Sequence, residues 1–428
     1  MARKKRKKEN KLLKLILFFF FFLLIIIYLV FNFKQDRLLK SIEKERGYIA
    51  DYYIYGTHLN VTGNIELVDV DGYKISLVLK SNNEEIELKS NIKVDKNNIS
   101  FKLSENINDG LSLNDLNNGN YYLLLKLSNK DNKKYYSFIN STEYGNLEYY
   151  STTKNNNNKK IDFIYDENNK TFKISIVKSK LPSDVYDVTI DAGHGKIDPG
   201  SSFKLENNVY YESELSLKVA LSLRDYLEQK GYKVLMTRES ACDLDYYDLE
   251  GRAVIPNKYK TKLTISIHLN SEEKSMNYGG VEVYTPNDIN YAFARNLADN
   301  TKNIAHTSYS LKKADKVEDG VYYSYYDDDT IKESTLESLK NNYKPYNIEK
   351  YAPTMYMIRE TGGKMTKAYV DGRISAYGTN LYYDSNIATE TYLIELGYIS
   401  YKEDLRNIID NYNLYAKAIG KTIDEYLK

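Results

Sequence analysis

The sequence is poor in several residue types, and each shortage narrows the range of functions. A single cysteine, Cys242, excludes an intrachain disulfide, and a lone thiol next to an aspartate gives no indication of thiol chemistry. Tryptophan is absent, and only four histidines occur, at positions 58, 194, 268 and 306. Any site that uses imidazole groups must therefore draw on these four side chains.

The chain also has almost no net charge, but its positive charge is concentrated at one end. The formal net charge is +1, and residues 1–14 hold eight Lys or Arg against one Glu. This basic tail leaves a net charge of about −6 on the rest of the chain. A nucleic-acid-binding protein needs basic residues spread over a folded face. We therefore expect no nucleic-acid partner.

An uncharged apolar run over residues 15–33 follows the basic tail. It is about long enough to cross a hydrocarbon core as a helix, and it predicts a transmembrane anchor. A cleaved signal peptide would have a shorter apolar region and a small-residue cleavage site, which residues 31–37 do not offer. Because basic residues precede the span, the N-terminus should be cytoplasmic. The sequence thus predicts a single-pass cell-membrane protein whose later domains are extracellular.

Two folded regions are expected after the anchor. Residues 34–47 are charged, with interspersed leucine and isoleucine, and indicate a short helical stalk. Residues 48–180 contain short apolar runs at a spacing of roughly ten residues, which predict an all-β, sandwich-like accessory domain. Its tyrosine pairs fit either a glycan-binding surface or an ordinary core in a spacer. After a linker at 181–184, residues 185–428 indicate an α/β domain with a mixed, mostly parallel sheet flanked by helices.

A short apolar strand that ends in a glycine-rich loop carries His194. Val188 and Ile190 are β-branched and apolar, glycine flanks the histidine on both sides, and Pro199 and Gly200 close the loop. In open α/β sheets, ligands bind beyond the carboxyl ends of the strands. The loop would therefore bring His194 into a cleft, although a lone histidine in a loop is more often simply hydrogen-bonded there.

Three further residues suited to metal binding or proton transfer follow the same pattern. His268 follows alternating apolar residues in the run at 263–270, and Glu395 lies shortly before a glycine in the run at 392–397. Glu212 precedes an amphipathic segment and would lie at a helix N-terminus. Two histidines and a carboxylate around an open fourth position are a ligand set of hydrolytic zinc sites, and a second carboxylate can serve as general base.

Three alternative ligands remain open at this point. Glu214 would replace Glu212 if the helix began two residues later. His58 lies in the β region and His306 in the later part of the α/β region, and these two are the only other imidazole groups.

These segments resemble the zinc-dependent N-acetylmuramoyl-L-alanine amidases of bacterial cell walls. The signature of that family opens with Asp-x-Gly-His-Gly-x-x-Asp-Pro-Gly, which residues 191–200 match throughout. The resemblance covers about residues 185–428 and continues through the helix after residue 212 and the segments 231–238, 266–271, 280–282 and 395–400.

The resemblance implies a role for each site residue. The zinc ligands of the family correspond to His194, Glu212 and His268, and its catalytic glutamate to Glu395. The resemblance also leads us to expect substrate contacts at Asn270 and Arg359. An ordinary surface ion pair is the alternative for the arginine.

The implied activity is hydrolysis of the amide bond between N-acetylmuramic acid and the L-alanine of the peptidoglycan stem peptide, by water that zinc activates. A zinc peptidase that acts on the stem peptide is a second possibility, since similar zinc sites serve both reactions. An inactive wall-binding protein is a third, but every position required for the chemistry is filled.

A long insertion, about residues 305–389, separates the second histidine from the catalytic glutamate. Its part at 327–340 is acidic at the start and helical in pattern. A carboxylate such as Asp327, Asp328 or Glu333 could fill the open metal position until an activator protein displaced it. Alternatively, the insertion forms a rigid wall of the substrate groove.

Overall fold

The computed structural model of the protein describes residues 20–21, 38–55, 57–103, 110–142, 145–151, 159–180, 182, 184–242, 244, 251–272, 278–288, 291–342, 345, 348–362 and 387–428. The two largest hydrophobic cores lie in different parts of the chain. One belongs to a β-rich N-terminal region, and the other to an α/β region that follows it.

The N-terminal region is built on one sheet of thirteen strands, most of them antiparallel. The neighbours along its main path are β10-β11-β12-β8-β9-β1-β2-β6-β5, while β3, β4, β7 and β21 pair beside this path. The strands are β1 (Ile42–Tyr55), β2 (His58–Glu66), β3 (Lys74–Lys80), β4 (Glu85–Glu87), β5 (Asn91–Asp95), β6 (Asn98–Lys102), β7 (Leu111–Ser112), β8 (Gly119–Ser128), β9 (Lys133–Asn140), β10 (Leu147–Ser151), β11 (Lys159–Asp166), β12 (Thr171–Lys178) and β21 (Ile387–Ala388).

This sheet corrects the predicted sandwich, because its strands are hydrogen-bonded into one continuous sheet folded around a core. Tyr52 of β1 packs across that core against Phe163 of β11 and Phe172 of β12, with ring centroids 5.3 and 5.5 Å apart. Short strands with one apolar side have the same sequence pattern in either architecture. β1 begins at Ile42, so residues 42–47 of the expected stalk belong to the sheet.

The α/β region contains a seven-stranded sheet in the order β16-β13-β17-β22-β18-β20-β19. Strands β16, β13, β17 and β22 are parallel to one another, and β18 runs antiparallel to β22. The strands of this sheet and of a two-stranded hairpin, β14 with β15, are β13 (Val188–Ala192), β14 (Ser202–Leu205), β15 (Asn208–Tyr211), β16 (Val234–Met236), β17 (Leu263–Asn270), β18 (Glu282–Tyr284), β19 (Lys316–Glu318), β20 (Val321–Tyr322) and β22 (Glu390–Tyr398).

Helices cover both sides of this sheet. Three of them, α1, α3 and α6, pack on one face and share its apolar core, whereas α5 packs against β22 from the other side. The named helices are α1 (Glu212–Gln229), α2 (Ile255–Lys258), α3 (Ala292–Ile304), α4 (Asp328–Lys340), α5 (Tyr356–Gly362) and α6 (Lys402–Tyr426).

The central strands alternate between an apolar and a polar face. In β17, Ile265 and Ile267 belong to the core beneath the three helices. Because successive side chains of a strand point to opposite faces, Ser266 and His268 project to the other side. The same alternation in β13 and β22 places Asp191 and Glu395 on this polar face. The polar and ionisable side chains of these strands therefore share one face of the sheet.

The two regions contact each other directly. Glu148 of β10 accepts a 2.8 Å hydrogen bond from Lys260, and Lys262 lies over the ring of Tyr149. The short strand β21, which precedes β22 in the chain, pairs with β1 of the N-terminal sheet. These contacts join the accessory region to the strands that build the polar face.

The predicted transmembrane anchor is not supported by the structure. Of residues 15–33, only Phe20 and Phe21 are among the described residues, and the rest lie outside them. Across the described ranges, no helix is long and apolar enough to cross a membrane. The long helices α1 and α6 are amphipathic and carry many charged residues, whereas a membrane span needs about 20 mostly apolar residues. This finding contradicts both the anchor and the single-pass location inferred from it.

Candidate active site

Three ionisable side chains stand in a row on the polar face. His268 of β17 is the register partner of Glu395 in β22, and Glu395 is the partner of Glu282 in β18. Directly opposed residues of neighbouring strands project to the same face, with their Cβ atoms about 5 Å apart. The pairing of the strands therefore places the imidazole and the two carboxyl groups side by side.

His194 reaches the same place from the loop after β13. Its backbone adopts a left-handed conformation, with φ of 60°, which turns the chain sharply after the strand. Its Nδ1 lies 2.9 Å from Oδ2 of Asp198, which orients the ring. A Cβ atom at Gly193 would lie only 2.5 Å from the His268 ring, and one at Gly200 2.7 Å from Glu212. Glycine is required at these positions because the loop passes so close to the other site residues.

Glu212, the first residue of α1, joins the two histidines. Its Oε1 lies 3.0 Å from Nε2 of His194 and 3.0 Å from Nδ1 of His268. The backbone N–H of Leu269 donates to the same oxygen, and that of Ser201 donates to Oε2. Potential ligand atoms of the three residues all lie within 4.8 Å of one another. The structure thus brings together the two histidines and the carboxylate proposed from the sequence.

The electrostatics of this group favour a positive charge at its centre. Burial raises the pKa of Glu212, but hydrogen bonds with His194 and His268 outweigh it and hold the pKa well below the usual range. Burial lowers the pKa of His194, but the carboxylates of Glu212 and Asp198 shift it upward overall. A divalent cation would supply such a charge, and imidazole nitrogen and carboxylate oxygen are ligands that zinc accepts.

Glu395 is in a different environment from Glu212. Burial raises its pKa well above the usual value, and the carboxylates of Glu212 and Glu282 raise it further, whereas Lys312 lowers it. Its Oε2 is buried and has no hydrogen-bond partner among the described residues. A carboxyl group with such a raised pKa is suited to accept a proton and to return it.

Two buried side chains that the sequence interpretation did not assign support the histidine loop. Asp191 accepts hydrogen bonds from Ser266 and Thr237 and pairs with Arg252 at 3.2 Å. Arg252 also donates to the carbonyl oxygens of Ala192 and His194. The aspartate belongs to the matched signature, so its position was a usable signal. The sequence signal for Arg252 was weak, because it consisted only of an arginine next to a short apolar run.

Arg238 supports the same loop from the end of β16. It donates to the carbonyl oxygens of Ala192 and Gly193 and to that of Ser213 in the first turn of α1. The guanidinium group therefore holds the loop of His194 and the helix start of Glu212 in fixed relation. The arginine ends a segment that matches the family, but its role could not be deduced from sequence.

The site opens into a cleft of about 380 Å³. His194, Glu212, His268, Glu395 and Asn270 line it, as do Met355, Tyr356 and Met357 of the insertion. Asn270 donates to Glu282 and accepts from the backbone N–H of Ser271, so its amide is held in place.

Arg359, the other expected substrate contact, is not brought to the cleft lining. It is buried in α5, pairs with Glu360, and donates to the carbonyl oxygen of Thr354 at 2.8 Å. Its guanidinium group also packs over the ring of Tyr356, 4.4 Å from the centroid. In this position, it stabilises the wall of the cleft that Tyr356 contributes.

The alternative ligands are placed elsewhere. Glu214 is exposed on α1, His58 lies in β2 of the N-terminal sheet, and His306 is exposed after α3. Asp327, Asp328 and Glu333, the acidic residues of the insertion considered above, do not line the cleft either. Asp327 caps α4 through Thr330, and Asp328 pairs with Lys350.

This α/β sheet, with two imidazole groups and a carboxylate facing a cleft beside a second carboxylate, has the features of a metal-site hydrolase. A family model described as N-acetylmuramoyl-L-alanine amidase matches residues 188–425. The chain belongs to the N-acetylmuramoyl-L-alanine amidase family. The resemblance noted from the sequence motifs and the predicted enzyme class are thereby confirmed.

Two individual relatives carry names that agree with this assignment. A protein of Buchnera aphidicola named for the same amidase activity is 31% identical over 185 residues, which cover 41% of this chain and 81% of that protein. The germination-specific N-acetylmuramoyl-L-alanine amidase of Bacillus subtilis is 36% identical over 95 residues, covering 20% of this chain and 38% of that protein. Among solved structures, the amidase AmiC2 of Nostoc punctiforme aligns with 58% of this chain and 99% of its own, at 20% identity and a TM-score of 0.36.

Proposed function

We propose that the protein hydrolyses the amide bond between N-acetylmuramic acid and L-alanine in peptidoglycan, with zinc held by His194, Glu212 and His268. The observation that carries this proposal is the position of Glu212 Oε1, 3.0 Å from one nitrogen of each histidine. Family membership supplies the scissile bond, since the geometry alone supports amide or ester hydrolysis in general.

Each part of the site has a task in this reaction. When bound, zinc lowers the pKa of a coordinated water toward about 7 and polarises a carbonyl group. Glu395 accepts the proton of the attacking water and returns it to the leaving amine. Its buried Oε2 supports this role, because it has no hydrogen-bond partner among the described residues and is free to take up a proton. Asn270 lines the cleft, which supports the proposed contact with the substrate.

A peptidase that acts on the stem peptide remains the second candidate. Purified protein should be incubated with peptidoglycan, with and without a zinc chelator, and the new amine termini identified. We expect free L-alanine amines and no other new amine, and loss of the activity with chelator. New amines at other stem-peptide positions would establish the peptidase instead.

The role of Glu395 has its own test. Glu395→Gln removes the proton acceptor but preserves shape, so turnover should fall by roughly 10²–10⁴-fold while zinc remains bound. Glu403→Gln is a matched control, because Glu403 is exposed in the first turn of α6. Undiminished turnover of Glu395→Gln would show that the base lies elsewhere.

An activator protein acting on the insertion remains a prediction. The carboxylates of Asp327 and Asp328 are engaged with Thr330 and Lys350, so plugging of the cleft would require these contacts to break. A fixed groove wall agrees better with the lining contributed by Met355, Tyr356 and Met357.

A further inference from the structure

The insertion carries three tyrosines whose rings lie next to one another. The ring centroids of Tyr323 and Tyr325 are 5.3 Å apart, and those of Tyr325 and Tyr351 are 5.4 Å apart. Tyr323 is buried, whereas Tyr325 and Tyr351 are 40% and 48% exposed. We call Tyr323, Tyr325 and Tyr351 the tyrosine strip.

The backbone connects the tyrosine strip to the cleft. Residues 324–326 and 351–354 form a short two-stranded ladder, in which Tyr325 is bridged to Pro353 and the N–H of Thr354 donates to the carbonyl of Ser324. The next residues after this ladder, Met355 and Tyr356, line the cleft. The tyrosine strip therefore extends away from the cleft wall, with its exposed rings at the outer end.

Local contacts hold the exposed rings in place. Tyr323 donates from its hydroxyl to the carbonyl of Tyr351, so the buried ring supports the outer one. Lys350 lies 5.5 Å from the centroid of the Tyr351 ring and pairs with Asp328 of α4. Adjacent exposed aromatic rings that are held in one position offer a surface to which a ligand can bind.

The geometry points to the tyrosine strip as a subsite for the glycan chain of peptidoglycan, beside the cleft that cuts the peptide branch. Tyrosine offers an apolar ring face for the C–H groups of a sugar and a hydroxyl for its polar groups. Because each peptide branches from a sugar of the glycan, a substrate seated in the cleft must carry glycan past the neighbouring surface. This inference rests on the proposed function. It adds that the protein recognises the glycan chain of its substrate through the tyrosine strip.

The test compares two substrates of different length. The Tyr325→Ala, Tyr351→Ala double variant should lose roughly tenfold in kcat/KM on polymeric peptidoglycan, since two ring contacts of ordinary strength are removed. Its activity on a soluble muropeptide with a single N-acetylmuramic acid should be unchanged, because that substrate ends at the cleft. The Tyr325→Phe, Tyr351→Phe variant should retain most of the activity on the polymer.

Tyr48→Ala is the matched control, because Tyr48 is 52% exposed on β1 of the other sheet. Equal losses of the double variant on both substrates would overturn the inference in favour of a structural role. Unchanged activity on both would overturn it too, and the tyrosine strip would then be examined as a protein-binding surface.

Co-sedimentation with insoluble peptidoglycan separates this inference from the proposed function. In the Glu395→Gln background, where cleavage should be slowed by roughly 10²–10⁴-fold, the protein should bind peptidoglycan. Adding Tyr325→Ala and Tyr351→Ala to it should weaken that binding by roughly tenfold. If the unaltered protein binds peptidoglycan but cleaves neither substrate, the proposed function fails. The subsite is then still tested by comparing the binding of proteins with and without the two tyrosine rings. Equal binding with and without the two rings would overturn the subsite.

Discussion

Glu395 and His268 lie opposite each other in the parallel pairing of β22 with β17. Neighbouring strands are about 4.8 Å apart, so the separation of these two residues is set by the sheet itself. His194 and Glu212, in contrast, come from a glycine-rich loop and a helix start, and depend on Arg238 for their relative position. The proposed active site therefore has one side fixed by strand pairing and another fixed by buried hydrogen bonds.

The first prediction concerns the histidine on the loop side. His194 has a left-handed backbone, which asparagine tolerates better than alanine does. His194→Asn should therefore keep the loop but remove a ligand, and the protein should bind far less than one zinc per chain. Elemental analysis after dialysis measures the stoichiometry.

His306→Asn is the matched control, because His306 also has a left-handed backbone, with φ of 54°, and is exposed away from the cleft. It should retain zinc and activity. Full zinc occupancy in His194→Asn would exclude His194 as a ligand.

Much of this centre could be anticipated because its signals are local. The alternation of residues 263–270 predicts that His268 leaves the apolar face, and the helical periodicity after Glu212 predicts a helix that begins near this residue. The contacts that surround each side chain in the folded protein could not be anticipated from such local signals. Arg359 lies behind the cleft wall, against Tyr356, because α5 packs on β22, and no local sequence pattern reports that contact.

In the N-terminal region, too, local features were predictable from the sequence and long-range contacts were not. The spacing of its apolar runs predicted short strands, since each strand pattern is set by its own residues. Which strands pair is decided by contacts far apart in the chain, such as Tyr52 with Phe163 and Phe172. The continuous sheet was therefore missed, although short strands were expected within residues 48–180.

The second prediction concerns the close approach of the loop to His268. A Cβ atom at Gly193 would meet three atoms of the His268 ring at 2.5–2.7 Å. Because real Cβ atoms do not come so close to other atoms, Gly193→Ala should displace the ring, destabilise the fold by about 1–3 kcal/mol and weaken zinc binding. Thermal unfolding and zinc titration measure the two effects.

Gly145→Ala is the matched control, since a Cβ atom there meets no atom within 4 Å. It should leave both measurements close to those of the unaltered protein. Normal zinc affinity in Gly193→Ala would mean that His268 does not need its observed ring position to bind the metal.

The last prediction concerns the junction between the two regions. Glu148 accepts hydrogen bonds from Lys260 across the junction and from Lys160 within its own sheet. Burial raises the pKa of Glu148, but these bonds outweigh it and lower the pKa to about 2. Because the folded pKa lies below the unfolded value of roughly 4.3, Glu148 stabilises the folded state at neutral pH. This contribution is lost as pH falls from the unfolded value through about 2.

Glu148→Gln should therefore lower the free energy of unfolding by about 1 kcal/mol at pH 7, since the pair is partly exposed and screened by solvent. The gap to the unaltered protein should narrow steadily below pH ~4.3, as the carboxylate of the unaltered protein loses its advantage. Thermal unfolding at several pH values measures this gap. Glu167→Gln is the control, because Glu167 pairs with Lys170 on the exposed surface and should change stability little. A gap for Glu148→Gln that stays constant with pH would show that lost packing, and not charge, accounts for the effect.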